Sequence, residues 1–184
     1  KLFHKDAVIA ETASPLFRAA PYIVFGAMVA AAAIIPSMGT RLPFTSAADA
    51  IALVGLLAVA RVFLSLAAMD IGTAFGSLGA RREMMIGFLA EPALLMIIFV
   101  ASLLSATTAL PLIAERLATQ AVGLYPSLAF TAVAFTMVLL AENARIPVDN
   151  PATHLELTMI HEAMLLEYSA RHLALMEWAA ALKL

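Results

Sequence analysis

From Glu142 to Glu177 a dense set of ionisable side chains interrupts a chain otherwise suited to lipid: Glu142, Arg145, Asp149, His154, Glu156, His161, Glu162, Glu167, Arg171, His172 and Glu177. Carboxylates and imidazoles are the groups whose protonation is most readily moved by burial or by a neighbouring charge, and such a cluster in an apolar chain is expected to be functional. Sharper chemistries fail on spacing. His161-Glu162-Ala163-Met164-Leu165 starts like the HExxH zinc-protease motif, but Leu165 stands where the second ligand belongs. His154, Glu156 and His161 have the atoms for a metal, yet a seven-residue histidine spacing is unusual for a two-histidine site, and no metal is expected. Gly76-Ser77-Leu78-Gly79 lacks the GxSxG order of a nucleophile elbow, and no phosphate loop is visible. The ten methionines read as packing, without a haem or copper box.

The medium around these groups follows from composition. Hydrophobic residues make up 63% of the 184, mean hydropathy is +0.95, and several uncharged stretches are about as long as a bilayer span requires. An all-α polytopic transmembrane helix bundle is expected. The net charge of −2 is unclustered, which argues against a nucleic-acid surface. There are no cysteines, so these residues supply neither a cysteine-ligated iron–sulfur cluster nor a disulfide. The chain opens at Lys1 without a signal peptide and stops within an apolar run, and is expected to be an internal piece of a longer protein.

Four spans are expected within residues 19–141, in one membrane domain covering 1–184. Residues 1–18 form an entrance segment on the cytoplasmic side. Helix A covers about Ala19 to Pro36, with Pro21 in its first turn; helix B about Ala50 to Met69; helix C about Met84 to Leu104; and helix D about Ala121 to Ala141. The glycine-containing stretch Asp70 to Glu83, with Arg81-Arg82-Glu83, reads as a polar loop or cap outside the hydrocarbon. Pro147 and Pro151 make Glu142 to Pro151 an extended loop, followed by a helix from His154 to Tyr168; residues 142–172 together form an acidic loop and helix. Residues 173–184 start or end a further apolar helix. Seven cationic residues (Lys1, Lys5, Arg18, Arg81, Arg82, Arg145, Arg171) fall on one side and two (Arg41, Arg116) on the other, which places the acidic segment on the cytoplasmic face.

Two charges lie inside the spans. An ionisable residue at a helix centre costs roughly 2.5–3.5 kcal/mol on insertion scales and normally faces protein or a wet cavity. Arg61 precedes the helix B boundary at Asp70, and Glu91 follows Glu83 on helix C, so at about 1.5 Å per residue both stand roughly 12–14 Å deep. Equal depth permits an ion pair, serving either helix register or proton movement. Pro92, beside Glu91, removes a backbone donor and favours local hydration. Glu156 and Glu167, eleven residues apart, return to nearly one helical face, as expected of a helix lining a polar cavity.

The segment Glu142-Asn-Ala-Arg-Ile-Pro-Val-Asp-Asn-Pro-Ala-Thr-His-Leu-Glu-Leu-Thr-Met-Ile-His-Glu-Ala-Met-Leu-Leu-Glu-Tyr-Ser169 closely resembles the membrane-anchor subunit of group 4 NiFe-hydrogenases, of hydrogenase-4 and formate hydrogenlyase type, the branch homologous to subunit 1 of respiratory complex I. The E-T-N-R-x-P-F-D-x-P-E-x-E-x-E-L loop and E-Y-S of complex I are matched by Glu142, Arg145, Pro147, Asp149, Pro151, Glu156, Leu157, Glu167, Tyr168 and Ser169. Ala152 and His154 replace two acids, and the Glu156 to Glu167 distance is about three residues longer, with a Met-Ile-His-Glu-Ala-Met insertion of hydrogenase flavour. Lys1-Leu-Phe-His-Lys5-Asp6 is similar to the family's K-L-x-x-K-E, and Arg82 with Glu91 reproduces its R-x8-E spacing. Ala170 stands where the family often has glycine.

The resemblance implies an integral subunit of an oxidoreductase complex that binds no cofactor itself. It would lie in a bacterial or archaeal cytoplasmic membrane, joining peripheral hydrogenase-like large and small subunits, which hold the NiFe centre and iron–sulfur clusters, to antiporter-like membrane subunits. Glu142, Asp149, Glu156, Glu162, Glu167 and His161, with Glu91 below them, would begin a proton pathway; Arg61, Arg82, Arg145, Lys5 and Asp6 would be charge partners or interface residues. Loop-shaping or interface salt bridges are the plainer roles for the same loop residues. Two competing functions are a quinone-binding complex I subunit, against which the longer spacing and His154 argue, and a stand-alone ion transporter, which would be expected to show an internal repeat.

Overall fold

The computed structural model describes residues 3, 5–6, 8–10, 13–35, 49–119, 126–146, 148–149 and 159–183. Within these, the chain forms α1 (Pro15–Ile34), α2 (Ala50–Asp70), α3 (Ala74–Ser105), α4 (Leu110–Thr119), α5 (Pro126–Glu142), α6 (Ile160–Leu165) and α7 (Ala170–Lys183). Among the described residues the extended pairing is one isolated bridge, Asp49 with Ala109. The three helices α1, α2 and α3 are long and apolar enough to cross a membrane; α5 is apolar but has 17 residues.

Side chains satisfy free amides at the starts of α1, α2, α3 and α6. Ser14 accepts from the Leu16 N–H at 3.1 Å and gives its own N–H to Asp70 Oδ2 at 2.9 Å, so the start of α1 is tied to the end of α2. Because α1 begins at Pro15, Pro21 is inside the helix and buried, not in the first turn as expected. Its missing N–H frees the carbonyl of Phe17, which accepts the Tyr168 hydroxyl at 3.1 Å, while the rings of Phe17 and Tyr168 stack 4.0 Å apart. A backbone gap in α1 is thus filled from the segment before α7.

The region expected to be a polar loop differs most. The turn after α2 needs only Ile71 to Thr73, with Gly72 at φ +76 and the Thr73 hydroxyl capping the Gly76 amide at 3.3 Å. A Cβ on Gly76 would lie 2.7 Å from the Ala68 carbonyl oxygen, so the hairpin closes only around glycine. Arg81, Arg82 and Glu83 therefore ride on a 32-residue helix. At about 1.5 Å per residue α3 is roughly 48 Å long against about 30 Å of hydrocarbon, which leaves its polar first turns room to stand clear.

Helices α1, α2 and α3 follow one another as packed neighbours, with α7 on α1 and α5 on α3. The core between α1, α2 and α7 uses Phe17, Val24 and Met28 with Ala20, Ala27, Ala60, Ala67 and Ala179, small residues that let helices approach closely in a medium without a hydrophobic driving force. At the other end Arg116 of α4 donates to the Ser105 carbonyl, closing the exposed C-terminus of α3. Helix α6 is held against α3, and a Cβ on Gly79 would meet Ala163, Ile160 and Met164 at 3.1–3.2 Å. Where one helix from His154 to Tyr168 was expected, residues 150–158 lie outside the described set, α6 ends at Leu165, and Ala170 at φ +48 turns the chain into α7. The left-handed backbone at Ala170 is the conformation glycine adopts at least cost, in keeping with the glycine often found there in the resembled family.

Candidate functional site: a buried charge cluster

Arg61 is 7% exposed in the middle of an apolar helix, and its guanidinium is met by carboxylates on three sides. Nε lies 3.1 Å from Glu83 Oε1, Nη1 lies 3.3 Å from Glu91 Oε1, and Nη2 contacts Glu142 Oε1. The Glu83 contact lacks hydrogen-bond alignment, so Coulomb attraction holds it, whereas Glu91 and Glu142 both accept hydrogen bonds. The short α2–α3 turn explains the first pairing: Arg61 and Glu83 each stand ten residues from it. Gly87 makes the rest possible. A Cβ there would lie 2.7 Å from Arg61 Cδ and 2.8 Å from Nη1, so the arginine lies across α3 where that helix has no side chain.

The Glu142 carboxylate is shared. Its second oxygen is 2.8 Å from Lys183 Nζ, at the end of α7. Three carboxylates from α3 and α5 thus touch two cations from α2 and α7, leaving an excess negative charge when all are ionised. Burying charges without partners costs several kcal/mol each, which is why the groups are gathered rather than scattered. Arg61, Glu83, Glu142 and Lys183, though not Glu91, border a cavity of about 240 Å³ whose lining also includes Arg145 and His161 and the apolar Met28, Leu57 and Leu64. A buried water needs only about 10–15 Å³ of such space and two to four polar partners, so the polar end has room for several.

Of the residues singled out in the sequence, Arg61, Glu91 and Glu142 meet here. Glu91 keeps a side-chain exposure of 32%, against 7% for Glu142. Glu142 ends α5 instead of opening an extended loop. Asp149 is buried elsewhere, accepting the Ile160 amide at 2.8 Å to start α6 and lying 3.8 Å from Arg82. His161 faces the cavity, and burial first, then Lys183, push its imidazole below the usual histidine range, with Glu162 opposing. Glu162 is half-buried beside it on α6. Glu167 is exposed in the turn after α6, outside the helix expected to carry it. Arg145 is exposed at the cavity edge, and Lys5 and Asp6 are exposed in the N-terminal segment. His154 and Glu156 lie outside the described residues. Among the described residues no group of three potential ligands is placed to hold a metal.

Glu83, Gly87 and Lys183 were not singled out. The matching distance of Arg61 and Glu83 from Gly72 could have revealed the first; nothing in the sequence marks the other two.

Long apolar helices around a largely buried charge cluster define an all-α polytopic membrane protein. A family model described as NADH dehydrogenase matches residues 1–184, and the chain belongs to that family. Over 184 residues it is 34% identical to hydrogenase-4 component C of Escherichia coli strain K12, covering all of this chain and 57% of that protein. It is 32% identical over 187 residues to formate hydrogenlyase subunit 4 of the same organism, covering all of this chain and 59% of that protein. The chain therefore spans less than three fifths of the length of these relatives.

Proposed function

We propose that this chain belongs to the membrane subunit of a hydrogenase-4 or formate hydrogenlyase-like complex, and that it couples electron transfer in partner subunits to proton movement through the Arg61 cluster. The relatives are named as a hydrogenase-4 component and a formate hydrogenlyase subunit, which supports partner subunits; in this proposal those partners carry the NiFe and iron–sulfur chemistry, and antiporter-like subunits are neighbours in the cytoplasmic membrane. The observation that carries the reading is the excess of carboxylates around Arg61 beside a cavity. A proton is the smallest charge that neutralises such an excess, and a redox change nearby alters how strongly it is held. Glu91, the most exposed of the three, takes up the proton and shares it with Glu142 across Arg61; Glu83 sets the field. His161, Glu162, Asp149, Glu156 and Glu167 lie along the segment by which protons approach from the cytoplasmic side.

Glu91→Gln tests this in membranes containing the whole complex. Electron transfer and assembly persist while proton translocation falls at least tenfold, about 1.4 kcal/mol or more in the coupled step; unchanged translocation contradicts it. The apolar wall of the same cavity supports a second reading, a quinone chamber, for which quinone extracted from the purified complex is the discriminating result.

A further inference from the structure

Helix α7 packs on α1 through Met176 and Ala179, and it is also a wall of the cavity, presenting Met176, Ala179, Ala180 and Lys183 to it. Across that cavity Lys183 meets Glu142, the end of α5. We propose that Lys183 is a positioning residue: its ion pair with Glu142 holds α7 to α5 beside the cavity, so that neutralising Glu142 loosens α7 and widens the path from solvent to the Arg61 cluster. The neutralising step rests on the proton-coupling reading; the latch itself does not.

The geometry supports this in two ways. Arg61 and Lys183 take opposite oxygens of one carboxylate, so Glu142 bridges α2 and α7, and both attractions weaken together when its charge is lost. The other groups facing this pair cannot replace it. Glu83 and Glu91 on α3 are engaged with Arg61, His161 on α6 is cationic only at low pH, and Arg145 after α5 carries the same sign as Lys183. With Glu142 neutral, the half-buried Lys183 has lost its 2.8 Å counter-ion, which favours movement of the ammonium toward water.

These 184 residues contain no cysteine, so a single introduced thiol reports on one place in them. Ala180→Cys puts a thiol on the cavity wall; Ala20→Cys, at a position 0% exposed in the α1 core, reports on the fold. N-ethylmaleimide labelling of each is followed by mass on this subunit in membranes holding the assembled complex. Glu142→Gln and Lys183→Met are expected to raise labelling at Ala180→Cys on the order of tenfold, with Lys183→Arg near the parent rate and Ala20→Cys protected throughout. Equal labelling in all of these overturns the latch, as does labelling that rises equally at Ala20→Cys. Proton translocation is measured in the same membranes. Loss of translocation with unchanged labelling removes the latch and leaves the coupling reading standing; altered labelling with translocation intact keeps the latch and removes the coupling reading.

Discussion

Arg61 and Glu142 illustrate how a few atoms decide whether a charge can sit inside an apolar helix. Removing a partner from a buried pair leaves an uncompensated charge, typically at a cost of about 3–5 kcal/mol, so Arg61→Ala, which takes the cation from Glu83 and Glu91 and leaves Glu142 with Lys183 alone, should lower stability by about that much. Thermal unfolding in detergent reads the effect, and Arg61→Lys should recover part of it. Gly87→Ala forces the guanidinium away from α3, an overpacking cost of about 1–3 kcal/mol, with a larger loss in Arg61 than in Arg61→Lys backgrounds. Tyr168→Phe should cost about 1 kcal/mol by leaving the Phe17 carbonyl unmet, and less when Pro21→Ala restores a helical donor to it; a double-mutant cycle measures the difference. His161 adds a pH dependence. Its folded value lies below the ordinary 6.5, so the unfolded chain takes up a proton first and stability falls as pH drops below about 6.5, until the folded form also protonates. Melting temperature followed against pH should therefore decline toward acid more steeply than in His161→Gln.

Among the helices, apolar runs were legible and their junctions were not. Hydropathy located α1, α2, the deep part of α3 and α5, because lipid-length apolar stretches have few other uses. The polar triplet at residues 81–83 read as a boundary, although charge alone does not end a helix: with Thr73 as cap and Gly72 and Gly76 closing the turn, α3 begins three turns earlier. Equal depth of Arg61 and Glu91 is visible in the spacing, whereas Glu83 sits beside two arginines in a polar triplet that hides its place on α3. The amphipathic α4 and the break between α6 and α7 left no comparable hydropathy signal, since both depend on tertiary contacts such as Arg116 with the Ser105 carbonyl and Tyr168 with Phe17. Helix α6 offers a test at this scale. Gly79→Leu should lift it from α3 and raise maleimide labelling at Ala163→Cys, which is 4% exposed, on the order of tenfold; unchanged protection would place the source of α6 docking elsewhere.

For the whole molecule, the family tie rests on the full 184 residues, while the function rests on one cluster that joins α2, α3, α5 and α7. Three of its five charged members, Arg61, Glu91 and Glu142, stood out in the sequence; Lys183 did not, because a lysine on a helix with other charged residues usually reaches for water. The measurement that reaches the proton itself is a redox-triggered infrared difference spectrum of the assembled complex in water and in D2O. A carboxyl C=O band that shifts on deuteration and disappears in Glu91→Gln is the expected result. Identical bands in the parent, Glu91→Gln and Glu142→Gln complexes would mean that no proton passes through the Arg61 cluster.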